Sequence, residues 1–336
     1  MAVRTLIIGR GLGGSVFHAP LIRAVPALEL VGIVGATDAE AAAVAKDCDL
    51  VVISTPNETH FPLAKAALGA GKHVVVDKPF TVTLAEADAL TALASERGRR
   101  LAVFHNRRWD GDFLTVKRLL GSGRLGAPSL FEAHWDRFRP ALRDGWKEAP
   151  EAGAGLLLDL GPHLIDQAVQ LFGRPEAVTA DMAAQRPGSR VDDYFAITLH
   201  YGSMRAVLGA STLVAEPRPR FAVHGTGGSY VKFGLDPQEA ELKAGVDPRE
   251  AGKDPRDGTL TLPDGSREPI PTERGRYVAF YEAMAEAILG GGAVPVEPGE
   301  ARETMRLIDL AARSAREGRR LVVQSGEAPL ETSPRT

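Results

Sequence analysis

The chain reads as an α/β protein in two parts: a doubly wound parallel sheet first, then an α/β domain on a large, mostly antiparallel open sheet. Three observations predict this. Apolar runs of strand length alternate with helical stretches through the first hundred residues. The first run, Val3 to Ile8, leads into glycines spaced G-x-G-x-x-G at Gly9, Gly11 and Gly14, the spacing of a Rossmann domain. From Trp109 the pattern changes to runs that alternate apolar and polar, as in a sheet with one wet face. With 336 residues the chain exceeds what one core usually supports. The expected division is 1–104 for dinucleotide binding, 105–324 for substrate binding and oligomerisation, and a disordered tail over 325–336.

Composition narrows the function classes. An apolar content of 44% and a net charge of -3 describe a globular protein, and Lys and Arg are scattered without a basic block. That argues against nucleic acid or an anionic membrane as partner. No run approaches the roughly eighteen apolar residues of a membrane span, and no charged leader precedes the first strand, so a cytoplasmic protein is expected. Cys48, the one cysteine, has no partner for an internal disulfide and no ligand cluster near it.

The glycine turn follows from its neighbours. Gly9 allows the tight turn, Gly11 lets backbone approach a pyrophosphate, and Gly14 lets the next helix pack close to the strand. That helix, about Gly13 to Val25, would aim free N–H groups and its positive dipole end at the phosphates. The turn, from Gly9 through Arg10, Gly11 and Leu12 to Gly14, is thus a candidate cofactor cradle. Next come a strand at Leu28 to Val34, an alanine-rich helix to about Asp47, and strands at Leu50 to Ser54, Lys72 to Val76 and Arg100 to Phe104. Helices at His60 to Leu68 and Leu84 to Arg97 separate the last three.

Ligands of such sheets sit beyond the carboxyl ends of the strands. On that rim fall Thr55, Pro56, Asn57 and His60, then Asp77 and Lys78 with Pro79, then Asn106 and Arg107. Between the second strand and Leu50 there is room for one helix only, so the Rossmann domain is shortened by an outer helix and strand. Where an acid would hold the adenosine ribose, only Asp38 is a candidate. It is equally a candidate helix cap.

In the second half, a helix at Phe113 to Gly121 precedes alternating runs at Ser129 to Phe138, Val178 to Gln185, Phe195 to Tyr201, Arg205 to Leu213, Arg220 to His224 and Gly228 to Phe233. Residues 235–271 lack apolar periodicity and read as a surface excursion with one or two short strands. Helices follow at Tyr277 to Leu289 and Pro298 to Arg316. One stretch carries chemistry, from Gly153 to Gln167. Pro162 suits a first helical turn, which places Asp159 and His163 four residues apart at a helix start, flanked by glycines that permit close approach. They are a pocket pair, or a cap and a hydrogen-bonded structural histidine; a metal reading lacks a third ligand.

Taken in order, the glycine turn, the TPN-x-x-H run at Thr55 to His60, the Asp77-Lys78-Pro79 triplet and the D-x-x-x-H pair Asp159 and His163 resemble the Gfo/Idh/MocA oxidoreductases. The runs VFHAPLI, HNRRWDGDF, DRFRP and KFGLDPQEA are similar to the branch of NADP-dependent scyllo-inositol dehydrogenases. Asp77 stands where the wider family has Glu. The resemblance implies NAD or NADP as cofactor, a cyclic polyol or sugar as substrate, and a homodimer or homotetramer through the second sheet. It implies His163 as acid–base group, Lys78 as donor to the reacting oxygen and Asp159 as orienting group. Trp135, Asp136, Arg137, Trp146 and, more loosely, Arg139 and Asp193 suit a polyol, since aromatic faces pack on C–H surfaces and charged forks bind hydroxyls. The alternative is a nucleotide-sensing or scaffold protein that kept the fold and lost the chemistry.

Overall fold

The computed structural model describes residues 2–35, 38–45, 47–142, 148 and 154–324. Strands β1 (Val3–Ile8), β2 (Leu28–Val34), β3 (Leu50–Ile53), β4 (His73–Val76) and β5 (Leu101–Val103) form a sheet in the order β2-β1-β3-β4-β5, parallel throughout. The apolar runs of β3 and β4 reflect cover on both faces: Leu50 to Ile53 and Val74 to Val76 are fully buried. Between β2 and β3, the described residues hold one short α-helix, α2 (Ala39–Ala43). Here β2 is the edge strand, and beyond Leu28 its residues are only partly covered. The predicted shortening therefore costs an outer strand and leaves the core intact.

The first helix differs from expectation. Residues Gly13–His18 form a π-helical turn, and only then does α1 (Ala19–Arg23) begin. The wide turn carries His18 inward, fully buried, to within 2.6 Å of the Tyr281 hydroxyl. Helices α3 (His60–Gly69) and α4 (Leu84–Glu96) follow as expected, α4 opening on a capping box in which Thr83 and Glu86 satisfy each other's backbone N–H groups.

The chain divides into two compact units, and the division is not sequential. The first holds residues 1–115, 235–257 and 271–305; the second holds 116–234, 258–270 and the chain from 306 onward. This grouping by packing is not a single cut at 104/105, and the stretch 235–271, read as a surface excursion, gives its residues 235–257 to the first unit. Its helix α7 (Gln238–Lys243) lies against the π-turn, and its first residues enter a buried polar cluster below α5 (Gly111–Gly121). Asp236 accepts from Gly111 N–H at 2.7 Å, and Gln238 joins the Trp109 carbonyl to the Tyr277 N–H just ahead of α8 (Val278–Gly290). Such contacts are polar and irregular, so they leave no apolar period in the sequence. The tail 325–336 lies outside the described residues.

That cluster has more acid than base. Arg107 pairs with Glu239 and donates to the Tyr277 hydroxyl at 2.5 Å, while Tyr277 donates to Asp110 at 2.6 Å. Burial would raise the Glu239 carboxyl, but Arg107 and Lys243 hold it low, making it the anion of the pair. Burial and the charges of Asp236 and Asp112 push Asp110 up despite Arg107. Asp236 is pushed up to about 6, first by burial and then by Asp112, against the N–H groups of Gly111 and Gln238. An acid raised in the folded state favours folding below its unfolded pKa and loses that advantage as pH climbs through the folded one. Stability should therefore fall between about pH 4 and pH 6 by at most ~1.4 kcal/mol per pH unit from this group. Urea midpoints across that window should slope less in Asp112→Asn; an unchanged slope would contradict the coupling.

The second unit contains a nine-stranded sheet: β6 (Pro128–His134), β7 (Ala177–Ala183), β8 (Tyr194–Tyr201), β9 (Met204–Ser211), β10 (Phe221–Gly225), β11 (Gly228–Lys232), β12 (Gly258–Thr261), β13 (Arg267–Ile270) and β14 (Leu321–Val322). Its order is β13-β12-β11-β10-β6-β9-β8-β7-β14, antiparallel except where β6 meets β9. Along β8, Phe195, Ile197 and Leu199 are buried on the face toward α6 (Leu156–Phe172). Thr198, His200, Arg205 and Val207, between the buried positions, are half-buried. The last long helix, α9, spans Pro298–Glu317. No helix among the described residues is long and apolar enough to cross a membrane.

Candidate functional site

In the first unit the glycine turn is dictated by contact. Gly9 has φ 128°, and a Cβ there would lie 2.0 Å from the Ser54 carbonyl oxygen; at Gly14 it would lie 1.9 Å from the Gly9 oxygen. A third tight position is Gly13, where a Cβ would meet the Ser54 Oγ at 2.2 Å and the Asp77 carboxylate at 2.9 Å. Gly13 falls outside the three-glycine spacing, and the Gly-Gly doublet was its only sign in the sequence. Gly11 has nothing within 4 Å of its Cβ position, and its neighbours Arg10 and Leu12 are exposed. Tight packing beneath and open space above is the cradle a pyrophosphate needs, so these residues fit a dinucleotide.

Behind the turn, Asp77 is a hub. It accepts from Ser54 Oγ at 3.0 Å and from the Lys78 backbone N–H at 2.8 Å, and His18 Nε2 lies 3.4 Å away. Burial alone would raise this carboxyl; the His18 contact and the nearby positive charges outweigh it and hold the group ionised. His18 thus supports Asp77 from behind the rim, a contact the sequence reading missed, its signal being a lone polar residue within an apolar helix. Lys78 is half-buried on the rim after β4.

Other rim residues are structural fasteners. His60 is fully buried, with Nδ1 2.9 Å from the Pro79 carbonyl and Nε2 3.0 Å from the Thr55 carbonyl. Burial pushes its pKa down against Asp77 and the backbone contacts, and with both ring nitrogens turned to carbonyls of the two rim loops the ring offers none to a ligand. Thr55 accepts from the Thr59 hydroxyl at 2.6 Å, Pro56 is exposed, and Asn57 and Asn106 are buried. Arg107, expected to meet cofactor, is buried in the acid cluster described above. Asp38 is exposed and precedes α2 without making a side-chain cap bond, which leaves the capping alternative unsupported.

The second unit gathers a different set. Helix α6 begins at Leu156, earlier than Pro162 suggested, because its cap comes from afar: Asp192 accepts from the Leu157 N–H at 2.6 Å and its carbonyl accepts from the Leu156 N–H at 2.9 Å. Gly155, with φ 100°, makes room, since a Cβ there would strike the Asp192 carboxylate at 2.1 Å. Asp159 is therefore no cap. It stands with His163 one turn apart inside the helix, and Pro162 lies in the helix rather than opening it. Arg137 pairs with Asp159 at 3.5 Å, and the Trp135 ring centroid lies 5.7 Å from that of His163.

Arg220 is a further member that no spacing announced. It is 2% exposed, donates to Gln167 at 2.7 Å one turn beyond His163, and sets its guanidinium 5.3 Å from the Trp135 ring centre. By contrast Asp136 is committed to Arg218, with two bonds of 2.8 Å, and Asp193 to the backbone and side chain of Arg186. Arg139 donates its backbone N–H to Thr212. Trp146 and Gly153 lie outside the described residues. So Trp135, Arg137, Asp159 and His163 converge, while Asp136 and Asp193 hold the scaffold. Among the described residues no three His, Cys, Asp or Glu side chains gather as a metal would require.

Comparison with known proteins places this arrangement. Residues 3–105 match the model of the oxidoreductase family's NAD-binding Rossmann fold, and residues 117–324 match its C-terminal alpha/beta domain. The chain belongs to the Gfo/Idh/MocA oxidoreductase family. It is similar to the uncharacterized oxidoreductase YdgJ of Escherichia coli (strain K12), at 48% identity over 94% of this chain and 96% of that one. It is similar to the scyllo-inositol 2-dehydrogenase (NADP(+)) IolW of Bacillus subtilis (strain 168), at 37% identity over 96% of each. The solved structure of the YPO2259 protein of Yersinia pestis superposes with a TM-score of 0.91 at 45% identity, covering 97% of this chain and 98% of that one. This family member is an NAD(P)-dependent oxidoreductase with a shortened Rossmann sheet followed by a mostly antiparallel sheet.

Proposed function

We propose that this oxidoreductase transfers a hydride between the nicotinamide and a secondary alcohol or ketone of a cyclic polyol or sugar. The observation that carries the reading is the second-unit cluster, in which Asp159 and His163 share a helix turn beside Trp135 and the Arg137 pair. An aromatic face with a carboxylate–guanidinium pair suits adjacent C–H and hydroxyl groups. The similarity to a scyllo-inositol 2-dehydrogenase supports the same substrate class. When bound, the nicotinamide supplies or accepts the hydride. His163 takes the hydroxyl proton in oxidation and returns it in reduction, as a positioned imidazole can in either direction. Asp159 fixes a neighbouring hydroxyl or orients the histidine, and Lys78 donates to the oxygen where negative charge grows. A nicotinamide absorbance assay over inositols, aldoses and keto-sugars should find turnover with at least one. Saturable cofactor binding without turnover on any would return the protein to the sensor alternative.

The substrate is a free small molecule rather than nucleic acid, and we place the enzyme in the cytoplasm as a homodimer or homotetramer. The second sheet supplies the association surface: Thr198, His200, Arg205 and Val207 are half-buried in a single chain, mixing apolar and polar character as dimer surfaces do. Light scattering that gave a single-chain mass at micromolar concentration would refute the assembly.

A further inference from the structure

We propose that Arg10 reads a 2′-phosphate on the cofactor's adenosine ribose, which makes this an NADP(H)-preferring enzyme. The inference rests on the dinucleotide reading of the glycine turn. Arg10 is the residue between Gly9 and Gly11, so its backbone belongs to the phosphate cradle. Its side chain runs sideways to the end of the neighbouring parallel strand β2: Nη2 lies 3.5 Å from the Ile33 carbonyl, and the Cβ position of Gly35 lies 3.8 Å from Arg10 Cδ and 3.9 Å from Nε. In a doubly wound sheet that corner, beyond the second strand, is where the adenosine ribose is read. The arginine thus passes Gly35 at van der Waals distance.

The guanidinium there is exposed, and among the described residues no carboxylate pairs with it. One long contact to a carbonyl leaves most of its five donors for a ligand. The planar fork matches phosphate oxygens two at a time, and a 2′-phosphate adds negative charge that a 2′-hydroxyl lacks. The opposing residue is Asp38, an acid that could hold a 2′-hydroxyl and repel a phosphate. It too is exposed, but it forms no ion pair with Arg10.

Isothermal calorimetry with NADP+ and NAD+ tests this without relying on turnover. Wild type should bind NADP+ at least about tenfold more tightly, as charge-assisted hydrogen bonds to a phosphate require. Arg10→Ala should lose about 10- to 100-fold in NADP+ affinity while NAD+ affinity changes little, and Arg10→Lys should keep part of the preference through charge alone. Tighter binding of NAD+ by wild type, or equal weakening of both cofactors by Arg10→Ala, would overturn the role of Arg10 and leave the oxidoreductase reading standing. Binding of neither dinucleotide would overturn both. Because Arg10 is exposed, its variants should melt as wild type does, which separates a binding effect from misfolding.

Discussion

His163→Ala should lower kcat by about 10²- to 10⁴-fold, the range set by loss of a positioned acid–base group, with dinucleotide affinity unchanged. The split follows from where the residues lie: the glycine cradle is built within the first unit, His163 within α6 of the second. Steady-state rates beside calorimetric cofactor affinities would measure it. His163 is 6% exposed and its ring lies near Trp135, so truncation also removes packing. His163→Gln fills more of that space and cannot titrate. If both variants lose turnover, proton transfer is the cause; a near-normal rate in His163→Gln would make the histidine a packing residue.

Lys78→Ala should reduce kcat by roughly 10²- to 10³-fold, as does removal of a preorganised donor to a developing oxyanion. The rim should stay in place, because the Lys78 backbone N–H remains bonded to Asp77, which Ser54 also holds. The loss should thus appear in kcat rather than in thermal stability. Lys78→Arg keeps a cation but spreads it over a broader fork, so partial activity is expected. If Lys78→Ala turned over normally and only bound cofactor more weakly, the lysine would be a rim charge and not part of the chemistry.

Much of the first unit was legible because a parallel sheet covered on both faces writes itself as apolar runs such as Leu50 to Ile53, and because close backbone contact demands glycine at Gly9 and Gly14. The alternation Phe195, Ile197, Leu199 likewise announced a one-faced sheet. Partners were not legible. His60, Arg107 and Asp136 sit in the loops and strands where the motifs put them, yet their polar atoms are taken by Thr55 and Pro79, by Asp110, Glu239 and Tyr277, and by Arg218. The start of α6 was misplaced because Pro162 imitates a first-turn proline, whereas the true cap, Asp192, is 35 residues on from the Leu157 N–H it satisfies. Local rules of helix ends see neighbours only. Arg220 had no period to betray it, since its contacts come from Trp135, just past β6, and from Gln167 on α6.

Hydride transfer itself is tested most directly by isotope. With cofactor carrying deuterium at the transferring position of the reduced nicotinamide, and a keto-polyol that turns over, the alcohol product should contain one deuterium on its carbinol carbon by mass spectrometry. His163→Gln should slow formation of that product without changing where the label goes. Product formed without deuterium from the cofactor would contradict hydride transfer to the carbonyl, whatever the rate.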